Sequence, residues 1–232
     1  MAGPSPIAFV LPVGERGGAE SVFFEILRRL DRGRFAPVAI FLRDGPFVRE
    51  VEEVGIPLHV QPITRLSDPF NYGRTIRALR QRFAQWGAQL VVSSHGYGHL
   101  YGGVAAWWAR IPAIWWQHGI ASSRHLLDHM AVCVPARVVV ASSHSAAEAH
   151  RRAFGFARTP LRVIHPGVDV DWFRSPDPQR LARLREELRL ERFRYLVSAI
   201  GRLEPGKGQD LFLRAARLVS ERRPDVGFLI VG

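Results

Sequence analysis

The sequence predicts an α/β protein built on a doubly wound parallel sheet, followed by the start of a second unit of the same kind. Three observations predict it. Short, continuously apolar runs alternate with helix-period patterns along the chain, glycine-bearing turns follow several of these runs, and a second strand-helix-strand pattern begins near residue 195 after a proline-rich stretch. A strand without polar alternation is buried on both faces, and strands separated by helices pair in parallel.

The elements follow in order. "IAFVLP" (7–12) reads as a buried strand, and 19–31 as a helix whose stripe is Val22, Phe23, Ile26, Leu27 and Leu30. A strand at 38–42, a helix at 46–55 and a strand at 58–60 come next, then a helix over about 71–86. Strands at 90–94, 113–117 and 137–142 alternate with helices near 98–109, 122–132 and 145–155. Pro166, Pro176 and Pro178 then mark a linker entering a helix at 177–190. Strand 195–201, helix 208–222 and strand 226–232 open the second unit. The domain boundaries expected from this pattern are 1–166, 167–192 and 193–232, with the last unit incomplete, because two strands do not bury a two-sided sheet.

The 232 residues include 47% hydrophobic and 23% charged side chains, which excludes a disordered chain. The formal charge of +11 suits an anionic partner: nucleic acid, an anionic membrane or phosphorylated small molecules. No RRM, KH or helix-turn-helix signature supports nucleic acid, so none is expected. Cys133 is the single cysteine, which leaves no intramolecular disulfide; its apolar surroundings predict a small core residue. The first residues lack a basic leader and cleavage site, and "VAAWWARIPAIWWQHGIA" is broken by Arg110, Pro112 and His118. A cytoplasmic protein is expected, at most peripheral on the inner face of the membrane. Arg74, Arg77, Arg80 and Arg82, spaced about three apart, offer a membrane-facing surface or a plain solvated helix face.

Ligands of open parallel sheets gather beyond the carboxyl ends of the strands. "LPVGERGGAE" brings Gly14, Gly17 and Gly18 there, where backbone N–H groups and a helix start could meet a phosphate or a sugar, or where a turn simply needs glycine. "SSHGYGHL" carries His95 and His99, as polar sugar contacts or as solvated histidines of a helix-start turn; without an H-E-x-x-H pattern they make no zinc site. In "WWQHGIASS", His118 follows the most apolar strand, as a hydrogen-bonding partner for a hydroxyl or phosphate or, as the plainer reading, a satisfied structural histidine, and Ser122 or Ser123 could cap the next helix. In "IGRLEPGKGQD", Arg202 leaves a strand and Lys207, the only lysine of the chain, stands between two glycines. Arg grips phosphate with a planar fork, and Lys adds a mobile point charge suited to a leaving diphosphate; a chance lysine in a surface turn is the rival, weakened by the glycines on both sides. The stretch fails the P-loop pattern.

In this order "GGAE", "QHG", "VIHPGVD" and "GRLEPGKGQD" resemble the retaining nucleotide-sugar glycosyltransferases of family 4, which have the GT-B fold. The resemblance implies two Rossmann-like domains, the first binding the acceptor and the second the nucleotide-diphosphate sugar, with no metal and no other cofactor. It implies that Gly17, Gly18, Arg202 and Lys207 bind the donor diphosphate. His118 would serve at the transferred sugar as the catalytic histidine, and Glu20 and His95 would contact acceptor or sugar, Glu20 having helix capping as its plainer role. The implied activity is retaining glycosyl transfer to a glycan or lipid-linked acceptor, in cell-envelope or exopolysaccharide synthesis. The family's later Glu-x7-Glu element is missing here, so the chain is expected to be C-terminally truncated and inactive alone. A non-catalytic glycan- or partner-binding module and a sugar-nucleotide epimerase are the alternatives.

Overall fold

The computed structural model describes residues 3–63, 66–120, 125–174 and 177–232. Two compact units make up the chain, Met1–Gly167 and Val168–Gly232.

In the first unit the strands are β1 (Ser5–Leu11), β2 (Phe35–Phe41), β3 (Leu58–Val60), β4 (Leu90–Ser94), β5 (Ala113–Gln117), β6 (Val138–Ala141) and β7 (Leu161–Val163). The helices are α1 (Gly18–Arg29), α2 (Pro46–Glu53), α3 (Pro69–Gln85), α4 (His95–Ala109), α5 (Leu126–Val132) and α6 (His144–Ala153). Among the described residues all seven strands pair in parallel in the order β3-β2-β1-β4-β5-β6-β7. The order reverses between β1 and β4. At that switch point the connections leave for opposite faces and open a crevice at the carboxyl ends of the strands.

Strand alternation builds two cores. Ile7, Phe9 and Leu11 of β1 point into a layer with Phe23 and Leu27 of α1 and Phe47, Val48 and Val51 of α2. Ala8 and Val10 point the other way, against Ile76, Leu79 and Phe83 of α3 and Tyr101, Ala105 and Ala106 of α4. Their small size matters because α4 lies close to the sheet: a methyl at Gly102 would sit 2.8 Å from Ser93 Oγ and 2.9 Å from Val10 Cβ. In the first layer Phe41 and Phe47 meet edge-on at 5.6 Å, a pairing worth roughly 0.5–1.5 kcal/mol beyond burial.

Local signals set the helix starts. Asp68 accepts from the backbone N–H groups of Phe70 and Asn71 ahead of α3, with Pro69 at the first helical position, and Ser143 accepts from Ala146 N–H ahead of α6. Helix α4 ends where Arg110 turns left-handed at φ 58°, so "WWARIP" is helix end and turn before the buried strand β5.

Several expectations change. Helix α4 starts at His95, three residues early, with Ser94 as its N-cap; this draws the histidines into the fold, and His99 is fully buried rather than solvated. Cys133 is exposed, because the residue α5 turns inward is Ala131. The helix expected from 122 is described from Leu126, and the capping role of Ser122 or Ser123 lies outside the described residues. Strand β7 and helix α7 (Val170–Arg174) went unpredicted, since three and five residues are too short to show a period.

The second unit continues from α7 with α8 (Pro178–Glu187), β8 (Tyr195–Ile200), α9 (Gln209–Ser220) and β9 (Val226–Val231). Tight 3-10 turns at Leu190–Arg192 and Pro205–Lys207 precede β8 and α9. Asp177 caps α8 through Gln179 N–H, and β8 pairs β9 in parallel from Tyr195↔Val226 onward. Ala216 of α9 is buried, and Phe212 meets Phe228 edge-on at 5.9 Å.

Candidate functional site

Glu20, His95 and His118 are far apart in sequence, but they follow β1, β4 and β5, which are neighbours in the sheet. The strand order therefore gathers them at the switch point. Glu20 lies in the first turn of α1 and is 5% exposed. Its Oε1 stands 3.5 Å from His95 Nε2, and the His95 and His118 rings are 5.0 Å apart. The imidazole of His118 stacks parallel to Trp116, and Phe23 closes it edge-on at 5.5 Å.

Gly17 makes room for this arrangement. A methyl there would come within 2.8 Å of Glu20 Oε2, whereas one at Gly18 would meet nothing. Gly14 serves backbone geometry: a methyl would collide with the Asp44 and Gly45 main chain, and the Gly14 carbonyl accepts from Phe47 N–H at 2.8 Å. The plainer explanation of that glycine is the one the structure supports. His95 holds a left-handed backbone, φ 57°, uncommon for a residue with a side chain, at the point where β4 becomes α4.

Electrostatics tune the cluster. Burial pushes Glu20 up, and the His95 imidazole beside it, with His118 further off, pulls the carboxyl back below its usual value. His118 is held down at about 4, first by burial and then by His95, against the opposing pull of Glu20. Near neutral pH its ring is uncharged, able to donate from one nitrogen and accept at the other. His118 Nε2 and the Ser94 Oγ are buried without a hydrogen-bond partner among the described residues, and Glu20 Oε1 has only the long approach of His95 Nε2. Buried polar atoms left open at a strand-end crevice are what a polyhydroxylated ligand would satisfy. His99 takes no part: it stacks on Trp115 at 5.2 Å, faces the Val134 carbonyl at 3.3 Å and is held at about 4 by burial.

In the second unit the structure brings Arg202 and Lys207 to one carboxylate. Arg202 Nη2 is 3.4 Å and Lys207 Nζ 3.8 Å from the same Oε1 of Glu204. Both cations are at least half exposed, at 74% and 50%. Gln209 fixes the loop by donating from Nε2 to the Arg202 carbonyl at 2.9 Å. Gly208, with φ 73°, makes the left-handed step from the 3-10 turn into α9, so Lys207 stands at a helix start. Glu204, Gln209, Ser94 and Trp116 are the participants that sequence reasoning missed. Gln209 and Glu204 lay within the quoted motif, but only the folded loop shows which groups they reach. Among the described residues, no three His, Cys, Asp or Glu side chains stand together as metal ligands, and no helix is long and apolar enough to cross a membrane.

The model of Glycosyltransferase Family 4 matches residues 16–172. A D-inositol 3-phosphate glycosyltransferase of Streptomyces scabiei is 27% identical over 244 residues, covering 96% of this chain and 52% of the relative. The GDP-mannose-dependent alpha-(1-6)-phosphatidylinositol monomannoside mannosyltransferase of Mycolicibacterium smegmatis is 44% identical over 80 residues, 34% of this chain and 20% of that protein. Among solved structures, a glycosyltransferase from Rickettsia africae superposes with a TM-score of 0.80 at 19% identity, covering 99% of this chain and 60% of that one. Anabaena Alr3699/HepE in complex with UDP and glucose gives 0.78 at 23% identity, with 97% and 60% covered. These likenesses show the Rossmann-like GT-B architecture, and the chain spans about half the length of the S. scabiei relative. With its family model covering more than half of its residues, the chain belongs to glycosyltransferase family 4.

Proposed function

We propose that this chain carries the acceptor side and the opening of the donor side of a retaining glycosyltransferase. It would move a sugar from a nucleoside-diphosphate donor to a glycan or lipid-linked acceptor of cell-envelope or exopolysaccharide synthesis. The observation that carries the reading is the convergence of Arg202 and Lys207 on a single carboxylate, a spacing that also suits the oxygens of one diphosphate.

In the reaction the bond from the anomeric carbon to the diphosphate oxygen breaks through an oxocarbenium-like state. The acceptor oxygen bonds to that carbon on the same face, and its proton passes to the departing phosphate. Negative charge grows on the diphosphate as it leaves, so two cations beside a helix start stabilise the transition state more than the ground state. Each is expected to contribute roughly 2–4 kcal/mol to the barrier of the whole enzyme. Neutral His118 donates to or accepts from a sugar hydroxyl, with Glu20 and His95 as further polar contacts, and Gly17 and Gly18 keep the start of α1 free of side chains. The M. smegmatis relative is named for GDP-mannose and the Anabaena structure contains UDP, so both nucleotides enter the test.

Isothermal titration of the 232-residue chain with GDP and UDP reads the proposal. Saturable binding of one of them, weakened at least tenfold in both Arg202→Ala and Lys207→Ala and absent for the free nucleoside, is the expected result. Binding that neither substitution alters would overturn it.

A further inference from the structure

The four arginines of α3 divide into two pairs by what they touch. The Arg80 guanidinium lies 4.7 Å over the Trp108 ring, and that of Arg82 lies 5.6 Å over Trp86 with its Nη2 3.4 Å from His59 Nδ1. Their charge is spread over aromatic faces. Arg74 and Arg77, one turn apart, have no such partner. They line a groove of about 310 Å³ with Gln61, Asn71, Thr75 and Gln81, between α3 and the segment leaving the edge strand β3. Among the described residues neither forms an ion pair, and no carboxylate lines the groove. Asp68 is the nearest acid in sequence, and it is taken up at the start of α3 by the backbone N–H groups of Phe70 and Asn71 and the Asn71 side chain.

Two guanidiniums three residues apart on one helix face repel each other when nothing lies between them. The remaining polar groups of the lining are amides and a hydroxyl, all able to donate. A phosphomonoester, with roughly −1.5 to −2 charge near pH 7 and three acceptor oxygens, matches two planar forks in charge and geometry better than a single carboxylate does. We infer that the Arg74–Arg77 groove is a phosphate-binding site of the first unit, taking the phosphomonoester of a small molecule or of a lipid headgroup. It uses none of the groups assigned to donor or sugar, so it stands or falls apart from the proposed activity.

The test is a ¹H–¹⁵N NMR titration of the chain with inorganic phosphate at constant ionic strength, chloride being the reference anion. Expected are saturable shifts of the Arg74 and Arg77 Nε–H signals and of the Gln61 and Gln81 side-chain amides. They should vanish in Arg74→Gln/Arg77→Gln and persist in Arg80→Gln; both replace exposed side chains, and unchanged dispersion of the remaining spectrum verifies folding. A second arm floats the chain with phosphatidylcholine vesicles with and without phosphatidic acid. Flotation that needs phosphatidic acid and is lost in the double variant, with no response to free phosphate, assigns the site to a lipid-borne phosphate. No saturable response in either arm, or a response that survives the double substitution, overturns the inference.

Discussion

Acidification should expose the strain of keeping His118 neutral. In the unfolded chain this imidazole takes up its proton near pH 6.5, and in the folded chain only at about 4. A depressed folded-state value means that the stabilising contribution is complete above the unfolded value and is lost as pH falls from about 6.5 toward 4. The whole interval corresponds to roughly 3 kcal/mol, of which about 2 kcal/mol is gone by pH 5. The perturbation is His118→Gln, which keeps a polar side chain and removes the titration. Urea unfolding of wild type and variant at pH 7 and pH 5, followed by tryptophan fluorescence, should give a loss between the two pH values that is smaller in the variant by about 2 kcal/mol. His99, also held at about 4, remains in both proteins and so cancels in the difference. Equal losses in both proteins, or a folded-state His118 midpoint near 6.5 by NMR, would refute the reasoning.

Three further outcomes follow from single contacts. Gly14→Ala places a methyl against the Asp44 and Gly45 backbone, which cannot swing aside, and should destabilise the first unit by roughly 1–3 kcal/mol in chemical denaturation. Gly208→Ala imposes a side chain at φ 73°, and its cost of about 1 kcal/mol should appear as loss of amide-exchange protection in α9. Glu204→Gln removes the carboxylate that the proposed diphosphate would displace from Arg202 and Lys207. Nucleoside-diphosphate affinity measured by calorimetry should rise roughly two- to fivefold, within the 0–1 kcal/mol of an exposed ion pair, and a fall would show that Glu204 organises the cations instead.

Alternation of apolar runs and amphipathic periods determined the fold class, because burial on two faces or along one stripe is written into each residue in turn. It marked β1 through Phe9 and Val10 and α1 through Phe23 and Leu27, and the ends of the apolar runs located the strand-end stretches that carry Glu20, His95, His118, Arg202 and Lys207. What periodicity could not carry was the order of the strands. That order placed β4 between β1 and β5 and so brought residues 20, 95 and 118 into contact. Nor could it show that His99, four residues beyond His95, would be buried against Trp115, or that Glu204 would stand between two cations. Pattern along a chain records which side chains prefer to leave water, and only the packed structure decides which of them meet, since contact depends on distance in space rather than separation in sequence.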